Sequence, residues 1–438
     1  MANGNENENK NSDSKKKRKF LFVSWQSLSG DLAWQIQKEG NKVKIYISDD
    51  DDVYEGVLEK VKKWKEHIDW ADVIVFDDIW FGEEADKLRK RGKLVVGGSE
   101  YTDKLEDDRK FGQEEMKKVG MNILPHWEFD DYDEGVKFIK DNPGRYIFKP
   151  SGDVSDWKSM LFIGREEDGK DLLEIIESNR KSLKKKVPQF QLQKFVSGIE
   201  IGAAAFFNGK EFVGPVNIAF EHKRLFPNEL GPMTGEMGTS MFWTKPNYIF
   251  NNTLGLMKDK LTESGYVGYI DINCIVNGRG IYPLEFTSRF GYPTVSIQIE
   301  GIQSEWGEFL YAIAKGEQYD LKVKSGFQIG VVVATPPFPF YDKDEMNIHH
   351  NLSILFKKDS MDGIHLGDVK FEDGSWRVAG STGYDLIVTG SGTTMEDARK
   401  QAYSRIDNII LQNMFYRTDI GGTWSEDSDK LRTWGYLD

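Results

Sequence analysis

The sequence has little cysteine and no long apolar run, and each absence excludes a class of protein. Cys274 is the one cysteine in 438 residues, so no disulfide can form within the chain. A chain with one cysteine fits a reducing compartment better than a disulfide-stabilised secreted fold. No stretch of about 18 consecutive apolar residues occurs, so we expect no membrane-spanning helix. The first 14 residues are polar and lack the apolar core of a secretory signal. The sequence therefore predicts a cytoplasmic protein.

Positively charged residues are outnumbered by acidic ones. The chain has 58 Lys and Arg against 71 Asp and Glu, a formal net charge of −13. Because so acidic a surface repels a phosphate backbone, we expect small-molecule partners and no nucleic acid for the folded body. The basic run Lys15–Lys19 closes a polar segment, residues 1–19, that the composition predicts to be a disordered tail. The rest, with 39% hydrophobic residues overall, is long enough for two or three domains.

The first part of the folded region alternates strands with helices. Four apolar runs are separated by helical or charged sequence: Phe20–Ser24, Val43–Ile47, Asp72–Phe76 and Lys93–Val96. This alternation is typical of a parallel α/β sheet. Ligands of such sheets bind at the carboxyl ends of the strands, which here are Ser24–Gly30, Asp77–Asp78 and Gly97–Glu100.

A predicted hairpin near the middle of the chain carries a polar stripe. Its strands are Gly268–Val276 and Ile281–Phe286. Alternate residues of a strand share a face, so Asp271 and Asn273 point the same way and face Glu285 on the partner strand. Hard oxygens of this kind bind Mg²⁺ or Mn²⁺ together with substrate phosphates. An edge hairpin with a solvated polar face explains the same pattern, and the spacing alone slightly favours it.

The stretch from Glu221 to Gly238 is rich in turn-forming residues. Its Gly, Pro and Thr residues predict a fixed polar loop whose main chain a ligand can approach closely. Lys223 and Arg224 offer positive charge to an anion there. A structural crossover is the alternative, and the residues alone leave the two interpretations nearly even.

Three ordered motifs resemble those of a known family. Glu221-His222-Lys223-Arg224 with Gly231-Pro232-Met233-Thr234-Gly235-Glu236-Met237-Gly238 is similar to DHKR and GPNTGGMG. Leu284–Pro293 is similar to EFNxRFGDPE, and Tyr416–Gly421 is similar to FRxDIG. These are motifs of the glycinamide ribonucleotide synthetases, the phosphoribosylamine–glycine ligases of the ATP-grasp superfamily. The resemblance runs from about Phe20 to Gly421.

The resemblance implies a multidomain fold that combines α/β and α+β domains. An N-terminal parallel α/β domain would span residues 20–103 and precede an ATP-grasp domain at 104–325. The ATP-grasp domain would hold ATP between a small lobe within 104–195 and a large lobe at 196–325. A small C-terminal domain, 326–425, would pack against the N-terminal one, and residues 426–438 would form a tail. The chain would be a monomer or homodimer.

The resemblance also implies an ATP-dependent, ADP-forming ligation in purine biosynthesis. ATP phosphorylates a carboxylate, and an amine then displaces phosphate from the acyl phosphate to give an amide. Catalysis of this kind consists mostly of neutralising charge and positioning the reactants.

Individual residues receive roles from the same resemblance. Lys223, Arg224 and Arg289 would be catalytic, with Arg289 neutralising the acyl phosphate and the other two lining the acceptor site. Among the residues expected to bind ATP, Lys110 and Lys149 would hold the phosphates and Lys158 would be the lysine of the lid. Glu200 would accept hydrogen bonds from the ribose hydroxyls, and the backbone of Gln193, Lys194, Phe195 and Val196 would contact adenine. Those expected to hold the metal are Glu285, Asn273, Asp271 and Thr287. Those expected to contact substrate are Gly30, Gly97, Gly98, Thr234, Gly235 and Met237.

The departures from the family concentrate where the acceptor would bind. The phosphate loop GxGGREHA corresponds to Ser24–Asp31, which has one glycine, and GPE corresponds to Phe76-Asp77-Asp78. The glycine-rich ATP lid corresponds to Ser155–Met160, which has no glycine. Three further replacements are Thr287 for an asparagine, Tyr292 for an aspartate and Tyr384 for an arginine.

Three hypotheses are compatible with this pattern. The first is a phosphoribosylamine–glycine ligase. The second is a paralogous ligase that joins an amino acid to another amine, such as a modified nucleotide or nucleoside. The third is a catalytically silent nucleotide-binding scaffold. A decaying site has no reason to keep all four of the motif residues Lys149, Glu200, Glu285 and Arg289, so their presence argues against it.

Overall fold

The computed structural model describes residues 17–49, 52–151 and 160–437. The predicted lid lysine Lys158 and the chain up to residue 16 lie outside the described residues. The guanidinium of Arg18 donates to the Glu308 carboxylate at 3.1 and 3.0 Å and lies 3.4 Å from the ring centroid of Tyr311. The predicted tail boundary at residue 19 is therefore wrong, because Arg18 is anchored and Lys19 begins the first strand.

The N-terminal part is a parallel five-stranded sheet, as the alternation predicts. Its spatial order is β3-β2-β1-β4-β5, and its residues Phe20 and Phe22 enter one apolar cluster while Leu21 and Val23 enter another. Helices therefore cover both faces, which explains the continuous apolar runs. The elements are β1 (Lys19–Ser24), α1 (Gly30–Lys38), β2 (Lys42–Ile47), β3 (Glu59–Lys60), β4 (Val73–Phe76), α2 (Gly82–Lys90), β5 (Val95–Val96) and α3 (Glu100–Asp107).

A four-stranded antiparallel sheet forms the small lobe, in the order β6-β9-β7-β8. Tyr146 and Phe148 pack into the core of this lobe with Phe190. Residues of a strand alternate between faces, so Lys149 lies on the face opposite the core. The elements are α4 (Arg109–Lys118), β6 (His126–Phe129), α5 (Tyr132–Asp141), β7 (Tyr146–Ser151), β8 (Phe162–Ile163), α6 (Lys170–Lys186) and β9 (Gln189–Lys194).

An eight-stranded sheet begins in the large lobe. Between its strands β11 and β14, the chain forms a separate two-stranded ribbon, β12–β13. The predicted hairpin is present as β15 and β16, at the edge of this sheet. The elements are β10 (Ile199–Asn208), β11 (Phe212–Glu221), β12 (Arg224–Phe226), β13 (Leu230–Met233), β14 (Gly238–Thr244), α7 (Tyr248–Asn251), α8 (Lys258–Ser264), β15 (Val267–Asn277) and β16 (Gly280–Thr287).

The C-terminal part continues the same sheet. Its remaining elements are α9 (Thr294–Gly301), α10 (Trp306–Ala314), β17 (Phe327–Val333), α11 (Lys343–His349), β18 (Ser353–Phe356), β19 (Ile364–Leu366), β20 (Val369–Glu372), β21 (Ser375–Val378), β22 (Leu386–Gly392), α12 (Met395–Ile406), β23 (Ile409–Ile410) and α13 (Trp424–Thr433). The described part of the chain contains no helix with the length and apolarity needed to cross a lipid bilayer.

Two predicted boundaries differ from the structure. The large sheet has the order β16-β15-β10-β11-β14-β17-β22-β19, so a boundary at residue 326 does not separate two sheets. Residues 426–438 were expected to be a tail, but α13 extends to Thr433, and its Leu431 is fully buried in the apolar cluster of the large lobe. The C-terminal helix is thus part of the core of the large lobe.

Candidate active site

Three neighbouring strands of the large sheet present polar side chains on one face. Asn273 of β15 lies opposite Gly202 of β10, and its Nδ2 reaches across to Oε2 of Glu221 on β11 at 3.3 Å. A Cβ at Gly202 would lie 3.0 Å from Asp271 Oδ2 and 3.3 Å from Asn273 Oδ1, so the glycine leaves room for both side chains. Asp271 and Asn273 are only 6% and 7% exposed. The interpretation as a solvated edge hairpin is therefore wrong.

Lys223 binds two carboxylates on this face. Its Nζ lies 2.5 Å from Glu200 Oε1 and 3.3 Å from Glu221 Oε2. Burial favours a lower pKa for Lys223, but the charges of Glu221, Glu200 and Glu285 outweigh it and hold the pKa well above its ordinary value. Lys223 therefore stays positively charged. Glu200, expected to bind the ribose, forms an ion pair with this lysine.

A glutamate with no role assigned from the sequence lies beside this cluster. Glu236 stands where the family motif GPNTGGMG has the second of two consecutive glycines, and it is 6% exposed. Its Oε1 has no hydrogen-bond partner among the described residues, and neither has Oδ1 of Asp271 or of Asn273. Burial and the charge of Glu221 raise the pKa of Glu236 and of Asp271 well above the ordinary value. The sequence could have indicated Glu236, because this position has an acid where the family motif has glycine.

The small lobe directs Lys149 and a buried glutamine toward that face. Lys149 lies on β7, and Gln193 of the neighbouring β9 is 1% exposed with both amide atoms unpartnered in the described part of the chain. Burial and the charge of Arg109 lower the pKa of Lys149 to about 8, against the opposing charge of Glu285. Glu285 belongs to the large sheet, and its charge acts on Lys149 of the small lobe. The two lobes therefore face each other at this lysine.

Arg109, rather than Lys110, is the neighbour of Lys149. Arg109 Nη1 donates to the carbonyl oxygen of Pro150 at 3.1 Å, whereas Lys110 is exposed. Successive side chains of a helix point about 100° apart, so only one of two adjacent residues at the start of α4 can face the lobe. Lys110, expected to bind ATP, is therefore not the cation beside Lys149, and Arg109 takes that position.

The segment expected to bind adenine is partly occupied by the fold. The amides of Lys194 and Phe195 donate to Pro125 and Arg145 carbonyl oxygens, both at 2.9 Å. The guanidinium of Arg145 also lies 3.5 Å from the ring centroid of Phe195. Adenine contacts from this segment must therefore come from its carbonyls, from Gln193 or from Val196.

The residues expected to hold metal lie in register on the hairpin. Glu285 is paired with Asn273 and Thr287 with Asp271, and Glu285 is exposed. Within residues 17–49, 52–151 and 160–437, no three His, Cys, Asp or Glu side chains form a complete metal site. Mg²⁺ is commonly held by one or two carboxylates together with substrate phosphates. The unpartnered oxygens of Asp271 and Asn273 beside Glu285 fit such a nucleotide-dependent ion.

Arg289 connects the large sheet to the N-terminal sheet. Its Nε lies 3.1 Å from Glu106 Oε1 and 3.2 Å from Asp78 Oδ1. Burial favours a lower pKa, but Glu106, Asp78 and Asp77 raise the pKa of Arg289 above its ordinary value. Asp78 is thus engaged with a cation of the protein itself.

A carboxylate occupies the helix N-terminus where a substrate anion was expected. Asp77 Oδ2 accepts hydrogen bonds from the amide and the hydroxyl of Ser29, both at 2.8 Å. Gly30 is enclosed, because a Cβ there would lie 2.2 Å from the ring of Tyr54. The expected substrate contact at Gly30 is therefore wrong, and the start of α1 already carries a negative charge.

Gly97 and Gly98 are also enclosed by the protein. Their carbonyl oxygens accept from the Arg89 guanidinium at 2.6 and 2.7 Å, and the Gly97 amide donates to Val267 at 2.6 Å. A Cβ at Gly98 would lie 2.6 Å from an Asp103 oxygen. The expected substrate contacts at these two glycines are wrong, because the pair joins the N-terminal sheet to the large sheet.

The loop from Glu221 to Gly238 has the fixed polar structure that its composition predicts. The amide and the hydroxyl of Thr234 both donate to the Lys223 carbonyl at 2.8 Å. The Met237 amide donates to the His222 carbonyl at 2.8 Å, and the Met237 side chain is buried. Gly235 faces open space, since a Cβ there would meet no atom within 4 Å. Of the three predicted substrate contacts in this loop, Gly235 is the one that a ligand can reach.

A buried arginine of the last motif anchors the same loop. Arg417 is fully buried, donates to Glu229 and Asp419 at 2.8 Å, and donates to the Arg224 carbonyl at 2.9 Å. The Arg224 side chain donates to the Gly231 carbonyl at 2.7 Å, within the ribbon. The Arg224 side chain thus contacts the ribbon, and Lys223 is the cation that faces the acids.

Two departures from the family pattern meet in space. Tyr292 and Tyr384, which replace an aspartate and an arginine of the motifs, have ring centroids 4.5 Å apart. The two replacements therefore contact each other in this chain as an aromatic pair.

Two sequence models of one family match the chain. The phosphoribosylglycinamide synthetase ATP-grasp (A) domain matches residues 107–295, and the C domain of the same synthetase matches residues 328–423. A phosphoribosylamine–glycine ligase of Clostridium acetobutylicum is 22% identical over 416 residues, 89% of this chain and 96% of the relative. Another, of Listeria monocytogenes, is 26% identical over 355 residues, 77% of this chain and 80% of the relative.

Solved structures share the fold. A phosphoribosylamine–glycine ligase from Thermotoga maritima superposes with a TM-score of 0.69 at 20% identity, over 92% of this chain and 100% of that chain. A biotin carboxylase from Campylobacter jejuni superposes with a TM-score of 0.60 at 12% identity, over 96% of this chain and 98% of that chain. The ATP-grasp fold expected from the sequence is thereby confirmed.

Proposed function

Because the chain belongs to the phosphoribosylglycinamide synthetase family, we propose that it joins glycine to phosphoribosylamine in the cytoplasm, with hydrolysis of ATP to ADP. The observation that carries this proposal is the cleft in which Lys149 of the small lobe faces the polar stripe of the large sheet. Such a cleft can hold a nucleotide between two sheets and a carboxylate beside its terminal phosphate. The curated relatives above bear the name of this reaction.

The small lobe supplies the nucleotide contacts. Lys149 and Arg109 bind the phosphates, and the free amide of Gln193 contacts the nucleoside. Glu285 and Asn273 would hold Mg²⁺, which when bound neutralises phosphate charge and orients the transferred group. Lys158 remains a further candidate for the same phosphates.

The large lobe and Arg289 supply the positive charge for the carboxylate. Lys223 and Arg289 are each held by two acids, so their positions are set before substrate arrives. Preorganised cations stabilise charge that develops on the acyl oxygens and on the departing phosphate. The amine nitrogen then forms the bond to the acyl carbon as the phosphate leaves.

One observation favours a second candidate, the same ligation with a different amine. Asp77 occupies the N-terminus of α1, and Asp78 pairs with Arg289. Carboxylates therefore stand where the family's loop would meet an acceptor phosphate. The replaced loop Ser24–Asp31 is consistent with an acceptor bound through other groups.

An ADP-release assay separates these candidates. Purified protein is supplied with Mg·ATP, glycine and freshly generated phosphoribosylamine, beside a panel of other amines and amino acids. ADP that appears only with glycine and phosphoribosylamine together supports the proposed function. ADP with another pair supports the second candidate, and silence throughout, with ATP still bound in calorimetry, overturns both.

A further inference from the structure

Glu106, a side chain of α3 with no role assigned from the sequence, binds two consecutive residues that follow β16. Its Oε1 accepts a hydrogen bond from Arg289 Nε at 3.1 Å, and its Oε2 accepts one from the Ser288 amide at 2.7 Å. The Glu106 side chain is 12% exposed, and Ser288 is 1% exposed. One carboxylate thus fixes both the main chain at the end of β16 and the guanidinium beside it.

The two acids beside Arg289 hold it in different ways. Arg289 Nε lies 3.1 Å from Glu106 and 3.2 Å from Asp78, but of the two acids only Glu106 accepts a hydrogen bond from it. Asp78 Oδ1 accepts instead from the amide of Ile79, at 2.8 Å. A hydrogen bond is directional, whereas an ion pair without one is not. Glu106 therefore sets the direction of the guanidinium, and Asp78 adds negative charge.

The hydrogen bond to Glu106 leaves other donors of the guanidinium for a ligand. An arginine side chain has five N–H donors in one plane. In the described chain, Nε donates to Glu106 and Nη1 donates to the Phe290 carbonyl oxygen at 3.2 Å. The Arg289 side chain is 26% exposed, so a ligand can reach it. A planar fork binds two oxygens of a carboxylate or phosphate only when its plane is correctly turned.

The helix that carries Glu106 is itself fixed. Its N-terminus is capped by Ser99, whose hydroxyl oxygen accepts from the Thr102 amide at 3.2 Å. The Ser288 hydroxyl donates to the Thr102 carbonyl oxygen at 2.8 Å. Leu105, the neighbour of Glu106, is buried in an apolar cluster of the large lobe. The position of the Glu106 carboxylate is therefore set by packing before any substrate binds.

We propose that Glu106 is a positioning residue of the ligation, which orients Arg289 so that its remaining donors meet the acyl phosphate. This inference rests on the proposed function, in which Arg289 supplies positive charge for the carboxylate. Donors that are placed in advance need no reorganisation when charge develops on the reacting oxygens. Glu106 acts through Arg289 and not on the nucleotide. Its loss should therefore slow the reaction without weakening ATP binding.

The test measures the kcat of ADP release and the KM for ATP, with glycine and freshly generated phosphoribosylamine or another amine that supports ADP release. Glu106→Gln keeps the shape of the side chain and removes its charge. We expect kcat to fall on the order of 10- to 100-fold and the KM for ATP to stay unchanged. The matched control is Glu300→Gln, because Glu300 is 7% exposed and binds Arg405 at 3.0 Å. This control should leave kcat unchanged.

A double-mutant cycle with Arg289→Lys separates positioning from a structural role. A lysine has no planar fork to orient, so adding Glu106→Gln to Arg289→Lys should lower kcat by less than about twofold. An equal loss in the wild-type and Arg289→Lys backgrounds would show that Glu106 does not act through Arg289, and would overturn the inference. Glu106→Asp keeps the charge on a shorter side chain and provides a second variant if glutamine disturbs folding.

Two further outcomes separate this inference from the proposed function. Unchanged kcat in both Glu106 variants overturns the positioning role, while ADP release by the wild type still supports the proposed function. A wild type that releases no ADP with glycine and any amine of the panel overturns the proposed function, and the role of Glu106 with it.

Discussion

At the scale of the residue, the neighbouring charges decide what each side chain can do. Lys149 and Lys223 are both half-buried lysines of the candidate site, yet their pKa values shift in opposite directions. Burial and Arg109 lower the pKa of Lys149 to about 8, whereas Glu221 and Glu200 outweigh burial and raise the pKa of Lys223. The first can gain or lose a proton near neutral pH, and the second is a fixed charge.

The pKa of Lys149 predicts a pH dependence of nucleotide binding. We expect the affinity for Mg·ATP to fall as the pH rises through about 8, because the protonated amine that binds phosphate is lost there. Calorimetric titrations over roughly pH 6.5 to 9.5 would measure this. Lys149→Arg should flatten the profile, since a guanidinium stays charged throughout. A wild-type profile that is already flat would contradict the assignment.

Glu285 gives a second prediction at this scale. Glu285→Ala should reduce ADP release on the order of 100-fold or more, because the variant removes the main carboxylate ligand of the metal. The side chain is exposed, so the melting temperature should not change. ADP release and thermal melting are measured beside Glu317→Ala, an exposed control on the same half of the chain. Unchanged turnover would remove Glu285 from the metal site.

At the scale of the element, the substrate loop is held by a motif distant in sequence. The ribbon β12–β13 has few apolar contacts of its own, and Leu230 at its tip is 61% exposed. Arg417 fixes it through Glu229, Asp419 and the Arg224 carbonyl. The position of Lys223 therefore depends on the C-terminal motif, which explains why the two motifs occur together.

Arg417→Lys tests this dependence. A lysine can replace only part of the guanidinium's hydrogen bonds, so we expect a loss of about 1–3 kcal/mol in the free energy of unfolding. Because Arg417 positions the loop and does not touch the nucleotide, the KM for glycine should rise while ATP affinity is retained. Urea unfolding and steady-state kinetics provide the two readouts. Arg432→Lys, on the exposed side of α13, is the matched control, and equal behaviour of the two variants would contradict the role.

At the scale of the whole molecule, one sheet joins the large lobe to the C-terminal part. β14 and β17 are paired at five positions, from Gly238 with Val331 to Phe242 with Phe327. β17 then pairs with β22 along its whole length. A strand ladder of this extent couples the stability of its members, so the two regions cannot act as independent domains.

The continuous sheet predicts a shared unfolding step. In hydrogen exchange followed over a urea series, residues 238–244 and 327–333 should lose protection at the same urea concentration. Residues 42–47, in the separate N-terminal sheet, serve as the internal comparison. Loss of protection at 327–333 well before 238–244 would show that the pairing does not couple the two regions.

Local pattern determined much of the architecture. Strands that alternate with helices predicted the parallel N-terminal sheet. Spacing along the strand predicted that Asp271 and Asn273 of the hairpin share a face, because alternate side chains of a strand point the same way. β14 gave no such signal, since Gly238–Thr244 mixes small, polar and aromatic residues and lies between two other strands. The charged helix α13 resembled a tail because only a few of its residues enter the core.

The sequence by itself determined the fold family, the ligase chemistry it implies and the residue types of the cleft, because ordered motifs survive at low identity. Tertiary structure alone decided which of those residues are enclosed by the protein and which are open to a ligand. It closed Gly30, Gly97 and Gly98 within the protein, placed Asp77 at the start of α1 and buried Glu236. The physical reason is that spacing along the chain shows which residues share a face, whereas burial, and with it charge and access, depends on what packs against that face.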